Sequence, residues 1–88
     1  MKKYTFIAEY RGGTYISQCI ALDLKAALLI WVNNLDKRFF SAHKKQMLQD
    51  EISDIDFFPV PINGIDKVWC RSYLSGKYFL LLNIVETA

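Results

Sequence analysis

Histidine occurs once in this chain, proline twice, cysteine twice and glycine four times among 88 residues. Each shortage excludes something. A Ser-His-Asp or Cys-His-Asn constellation would have to use His43, which follows Ala42 in a polar, basic stretch with no partner implied by its spacing. His43 reads as a solvent-exposed helix residue. Cys19 and Cys70 are too few and too far apart for a disulfide scaffold or a zinc knuckle. Each is expected to be a small apolar strand residue kept reduced. No glycine-rich phosphate loop exists, because Arg11-Gly12-Gly13 belongs to a hairpin bend rather than preceding a helix.

Charge of one sign is also scarce. The formal net charge is +2, and modules that bind nucleic acid tend to be more basic and more clustered. Long apolar runs are missing: the longest is AALLIWV at 26–32, far short of a membrane span. The opening MKKYTFIAEYRGG starts as a signal peptide would, but Glu9 and Arg11 interrupt it before an apolar region is complete. No membrane association and a cytoplasmic location are therefore expected. Asp50, Glu51, Asp54 and Asp56 form an acidic run without the Asp-x-Asp-x-Asp-Gly spacing of a calcium loop, so a solvated helix end is expected there. No catalytic residue, metal ligand or cofactor site is assigned, and the chain is expected not to be an enzyme.

What is present is core material. An apolar fraction of 52% with 15% aromatics argues against disorder and for a single domain over 1–88. Two hexapeptides share one frame, YRGGTY at 10–15 and YLSGKY at 73–78. A Gly in the fourth place suits a three-residue hairpin loop with a left-handed bulge residue, which makes Gly13 and Gly76 the candidates. In the second hairpin that register places Val68, Cys70, Tyr78, Leu80, Leu82 and Ile84 on one face. Lys67, Trp69, Arg71, Tyr73, Lys77, Phe79, Leu81 and Asn83 fall on the other. A two-residue loop at Ser75-Gly76 mixes charge with aliphatics on both faces, so the bulged register is preferred. In the first hairpin the bulge groups Tyr4, Phe6, Ala8, Ile16 and Ile20, leaving Ile7, Tyr15 and Cys19 as apolar exceptions.

Asp23 is an N-cap for a helix reaching about Leu35 or Asp36, with Leu24, Leu28, Trp31 and Leu35 as its core stripe. Ala26, Leu29 and Ile30 on its back are apolar too, which calls for a cover. A second helix is expected from Ser41 as N-cap to about Ile52, with Ala42, Met47, Leu48 and Ile52 inward. Its Lys44 and Lys45 lie in the first turn and Asp50 and Glu51 in the last, against the macrodipole. FFPVPI at 57–62 cannot be a central strand with Pro59 and Pro61 in it, and Asn63-Gly64 turns it into the last hairpin. The expected fold is α+β: an antiparallel sheet from two β-hairpins with two helices between them in sequence (ββααββ), helices packed on one face.

Residues 4–35, a hairpin feeding a helix that begins DLKAALLIW, resemble the hairpin-helix start of HicB-type antitoxins. The Pro-x-Leu-x-Gly-Cys segment of that family is replaced here by SQCIALDL. The resemblance covers about a third of the chain, and membership is not inferred from it.

With helices on one side, the row Trp69, Arg71, Tyr73, Phe79 and Leu81 is expected to face outward, with Leu29 and Ile30 as a second bare surface. Trp, Tyr and Arg are enriched anchors of protein interfaces. A small non-enzymatic module that self-associates through this aromatic and apolar surface, as a homodimer, is the leading expectation. Two alternatives stand beside it: the second helix covers the row and makes it plain core, or the same aromatic and basic sheet face binds single-stranded nucleic acid.

Overall fold

The computed structural model describes residues 1–87. Strands β1 (Lys2–Tyr10) and β2 (Gly13–Ala21) form the first hairpin and lead into helices α1 (Leu24–Asn33) and α2 (Ala42–Ser53). A short 3-10 turn (Ile55–Phe57) precedes strand β3 (Val60–Pro61), and β4 (Val68–Ser75) with β5 (Tyr78–Thr87) forms the last hairpin. One antiparallel sheet results, in the order β2-β1-β5-β4-β3. The first and last strands of the chain pair at its centre, Phe6 opposite Ile84, and so join the two hairpins. The α+β architecture expected from the sequence is present, with both helices on one face.

Both helices start where their caps are. The Asp23 carboxylate accepts the Ala26 N–H at 2.9 Å, and the Ser41 hydroxyl accepts the Lys44 N–H at 3.3 Å. The lysines that oppose the α2 dipole reach away from it. Lys45 Nζ donates to the Asn33 carbonyl at the C-terminus of α1, at 3.0 Å, where a cation is favoured. FFPVPI supplies the two-residue β3 at the sheet edge, where a missing donor breaks no ladder. The turn at Asn63-Gly64 is present, with Gly64 at φ 81° and the Ile65 N–H bonded to the Ile62 carbonyl at 3.2 Å.

Between sheet and helices lies one core. Tyr4, Phe6, Ala8 and Tyr10 of β1 and Leu80, Leu82 and Ile84 of β5 meet Leu28, Trp31 and Val32 of α1 and Leu48 and Ile52 of α2. Phe6 and Trp31 stack with ring centroids 5.7 Å apart and planes 15° apart. Stacking of that kind adds to the stabilisation from buried area.

The loops depart from expectation, and the consequences are large. Tyr10 pairs with Gly13 around Arg11-Gly12, and Ser75 pairs with Tyr78 around Gly76-Lys77. Both loops have two residues, and neither has the expected bulge. Arg11 (φ 51°) and Gly12 (φ 81°) are both left-handed, the requirement of a type I′ turn. In the second loop only the first position, Gly76 at φ 67°, is left-handed, which matches the sign pattern of type II′. Gly13 is a paired strand residue and not a left-handed one. A non-glycine residue holds the left-handed position in the first loop while its guanidinium lies over the Tyr78 ring, 4.5 Å from the centroid.

A register changed by one residue exchanges the two faces of a strand. Trp69, Arg71 and Tyr73 therefore lie opposite Ile84, Leu82 and Leu80, on the helix side of the sheet, and Val68 and Cys70 face away. This corrects the expected outward row. In the first hairpin Tyr15 and Cys19 pack inward, and Ile16 and Ile20 face out. Arg71 explains how a charge can sit on the inner side. Near the sheet edge its guanidinium escapes the core, donating to the Asp56 carbonyl at 3.0 Å and lying 5.3 Å from the Phe57 centroid.

Candidate interaction surface

The sheet has one face under helices and one face under nothing. Across the bare face the antiparallel register sets Ile16, Ile7, Asn83, Cys70 and Val60 side by side in one row spanning all five strands. Neighbouring rows hold Glu9, Leu81 and Ser72, then Phe79 and Leu74. Phe79 is 72% exposed and Ile16 67% exposed, and the only charged side chains standing on the central strands here are Lys3 and Glu9 of β1. Bare apolar surface of this extent is uncommon on a protein that acts alone. At the tip of the first hairpin, Phe79 and Leu81 border a shallow depression of about 430 Å³ whose other wall is the Arg11-Gly12 loop.

Of the residues singled out from the sequence, the structure brings Phe79 and Leu81 together on this face. Tyr73 is 1% exposed and belongs to the core, and Trp69 is half-buried against it, 6.4 Å from the Tyr4 ring. The Tyr73 ring is closed to any partner in this fold, and the Trp69 ring stands on the helix side of the sheet, away from the bare face. Leu29 and Ile30 lie elsewhere, on the solvent side of α1, at 38% and 36% exposure, and α2 does not cover them. The sequence reading missed Ile16, Ile20, Leu74 and Val60 as members of the open surface, whereas Ile7 was already expected on the side away from Tyr4, Phe6 and Ala8. For Ile16, Ile20 and Leu74 the signal is the loop length, since Arg11-Gly12 and Gly76-Lys77 as two-residue turns turn them outward; Val60 follows Cys70, its partner on β4.

A second cluster is polar and closed. Beneath β4, the Tyr10 hydroxyl donates to the Ser75 carbonyl at 3.0 Å and Lys44 Nζ donates to the Tyr10 oxygen at 3.4 Å. Glu51 and Tyr73 stand beside them, and Glu51 Oε2, Tyr73 Oη and Ser75 Oγ are buried without hydrogen-bond partners. Burial pushes the Glu51 carboxyl above its ordinary range, with the Leu74 N–H and the Arg71 charge pulling the other way. Burial likewise raises the Tyr73 phenol far beyond its normal value. Tyr73 and Ser75 are sealed from solvent, while Lys44 and Glu51 are half-buried, and the cluster lies where α2 packs against β4.

His43 is exposed on α2. In the acidic run, Asp54 accepts the Asp56 N–H at 3.0 Å and Asp50 accepts from Gln46 at 3.0 Å. These carboxylates serve local turns, and among the described residues no group of three or more metal-ligating side chains is assembled. Among the described residues no helix is long and apolar enough to cross a membrane.

No protein-family model matches the chain, and no curated protein and no solved structure is similar to it at a significant level.

Proposed function

We propose that this domain is a non-enzymatic interaction module whose mode of action is contact with protein, beginning with a second copy of itself. The observation that carries this reading is the sheet face left without helices, where Ile16, Phe79, Leu81 and Leu74 stand exposed around a half-buried row of Ile7, Asn83 and Cys70. Exposed apolar area of this kind gains roughly 25 cal/mol per Å² when removed from water, which favours association. The surface is nearly neutral, so association through it is little opposed by charge.

Base stacking by single-stranded nucleic acid gains no support from the geometry, because Trp69 and Tyr73 are withdrawn from the surface and only Phe79 remains as an exposed ring on this face.

Size-exclusion chromatography with light scattering tests the proposal. The expected mass is twice the 10.2 kDa of one chain. A monomer persisting at high micromolar concentration overturns self-association.

A further inference from the structure

We propose that the self-association edge is β2, with two copies pairing β2 against β2, antiparallel, about a two-fold axis at Gln18. The result is one continuous sheet of ten strands. This inference rests on the self-association reading and narrows the contact to the β2 edge of the bare face, where Ile16 and Ile20 stand; Phe79, Leu81 and Leu74, on β5 and β4, lie outside that contact.

β2 ends the sheet on one side, so half of its backbone groups have no strand to meet. Which half follows from the hairpin. The pair that flanks a two-residue loop, here Tyr10 and Gly13, exchanges both backbone hydrogen bonds, and the pattern alternates from there. Thr14, Ile16, Gln18 and Ile20 therefore aim their N–H and C=O groups away from β1. Their side chains all stand on the bare face.

Sheet edges are normally blunted by charge, proline, a bulge or brevity. The opposite edge is blunted in this way: β3 has two residues, one of them Pro61, and beyond it α2 packs against β4. β2 carries none of these devices. Its nine residues, GTYISQCIA, include no charged residue and no proline. Its register with β1 runs without a skipped residue from Lys2 opposite Ala21 to Tyr10 opposite Gly13.

The side chains select both the partner and the register. Residues with outward backbone must pair with one another, which limits the choice to steps of two. Centring on Gln18 sets Ile16 of each copy opposite Ile20 of the other, and sets Leu22, just past the strand, opposite Thr14. Ile20 is 59% exposed and Leu22 71% exposed in the single chain. A shift of two residues, centred on Ser17, would put Ile16 opposite Gln18 and lose both isoleucine pairs. In the centred register the two Gln18 side chains meet on the axis, each already donating to Thr5 Oγ1 at 2.8 Å and keeping its carboxamide oxygen as an acceptor. The same two-fold turns the Lys3 end of one β1 toward the Glu9 end of the other, so like charges are not opposed.

The helix beneath the edge supplies the rest of the contact. α1 packs on β2, so joining two β2 strands brings two α1 helices to the same seam. Leu29 and Ile30 are the apolar residues that α1 leaves exposed.

The test is covalent capture in the full-length chain. In a Cys19→Ser, Cys70→Ser background, Gln18→Cys places two thiols on the axis with Cα atoms about 5.5 Å apart, within disulfide range. Mild oxidation is expected to give a cross-linked dimer, whereas Leu81→Cys in the same background is expected to stay uncoupled. Ile16→Lys should weaken dimerisation at least about tenfold while leaving the melting curve of the monomer unchanged. In the wild-type chain, amide exchange at Ile16, Gln18 and Ile20 should slow as concentration rises into the dimer range, a readout that needs no variant. Coupling through Leu81→Cys with none through Gln18→Cys would overturn the edge assignment and leave self-association standing. A wild-type chain that is monomeric at every concentration would remove both.

Discussion

Trp69 lies opposite Ile84 on the helix side of the sheet, and its neighbour Cys70 lies opposite Asn83 on the bare side. That single phase relationship decides what β4 does. Trp69, Arg71 and Tyr73 become parts of the core and its rim, and the bare face is made by β1, β2 and β5 with the alternate residues Cys70, Ser72 and Leu74 of β4. A partner that meets this sheet meets isoleucine, leucine and one phenylalanine.

Trp69→Ala should behave as a core truncation. The ring is half-buried against Tyr4, so a loss of about 2–4 kcal/mol in urea unfolding is expected, below or within the range for fully buried aromatics. Phe79→Ser should change stability by no more than about 0.5 kcal/mol, because its ring is already in water. Similar costs at the two positions would contradict the register.

The two glycines of the first hairpin should separate cleanly. Gly12 holds φ 81° with open space around it, so Gly12→Ala costs roughly 1 kcal/mol through backbone strain alone, and Gly12→Asn costs less. Gly13 has ordinary strand geometry, but an added Cβ would lie 2.8 Å from the Tyr15 hydroxyl oxygen. Gly13→Ala should therefore displace the Tyr15 ring, visible as a chemical-shift change at Tyr15 and at Phe39 beside it. Strain at Gly13 in place of Gly12 would restore the three-residue loop.

Glu51 should make stability fall as pH rises. Its folded-state pKa is raised above the ordinary 4.5, chiefly by burial, so the folded chain holds that proton more tightly than the unfolded chain does. The associated stabilisation is complete below the unfolded pKa and is lost as pH climbs through the folded one. Glu51→Gln removes the titration. The difference in urea midpoint between variant and wild type should be smallest at about pH 4 and grow toward neutrality in favour of the variant. A constant difference would show that the carboxyl is not held above its ordinary value.

Tyr73→Phe removes a buried hydroxyl that has no hydrogen-bond partner. Deleting it should leave stability unchanged or raise it by about 1 kcal/mol, read from thermal or urea unfolding. A loss greater than about 1 kcal/mol would mean that the hydroxyl is bonded in solution.

Much of the fold was legible because it is local. Asp23 and Ser41 announce their helices by capping chemistry, Pro59 and Pro61 confine their segment to an edge, and Gly64 and Gly76 mark two turns, while in the first hairpin the left-handed glycine is Gly12 and not the expected Gly13. The candidate site was less legible. The choice between loop lengths rested on sorting charge away from aliphatics, and Arg71 defeats that criterion because a long side chain at a sheet edge can leave the core and still find the Asp56 carbonyl. Leu29 and Ile30 were legible as apolar residues on the back of α1, but no pattern within one chain could say that α2 would leave them open.

Capping residues, apolar periodicity and turn formers act over a few neighbouring positions, and they alone determined that two hairpins and two helices would form in this order. Strand phase and sheet order were decided in three dimensions, where β5 docks on β1, Arg71 reaches around the rim and the helices choose one side. A strand with apolar residues on both faces carries no internal instruction about which face to bury. One residue of loop length supplies it, and its energetic consequence exists only once the helices have something to cover.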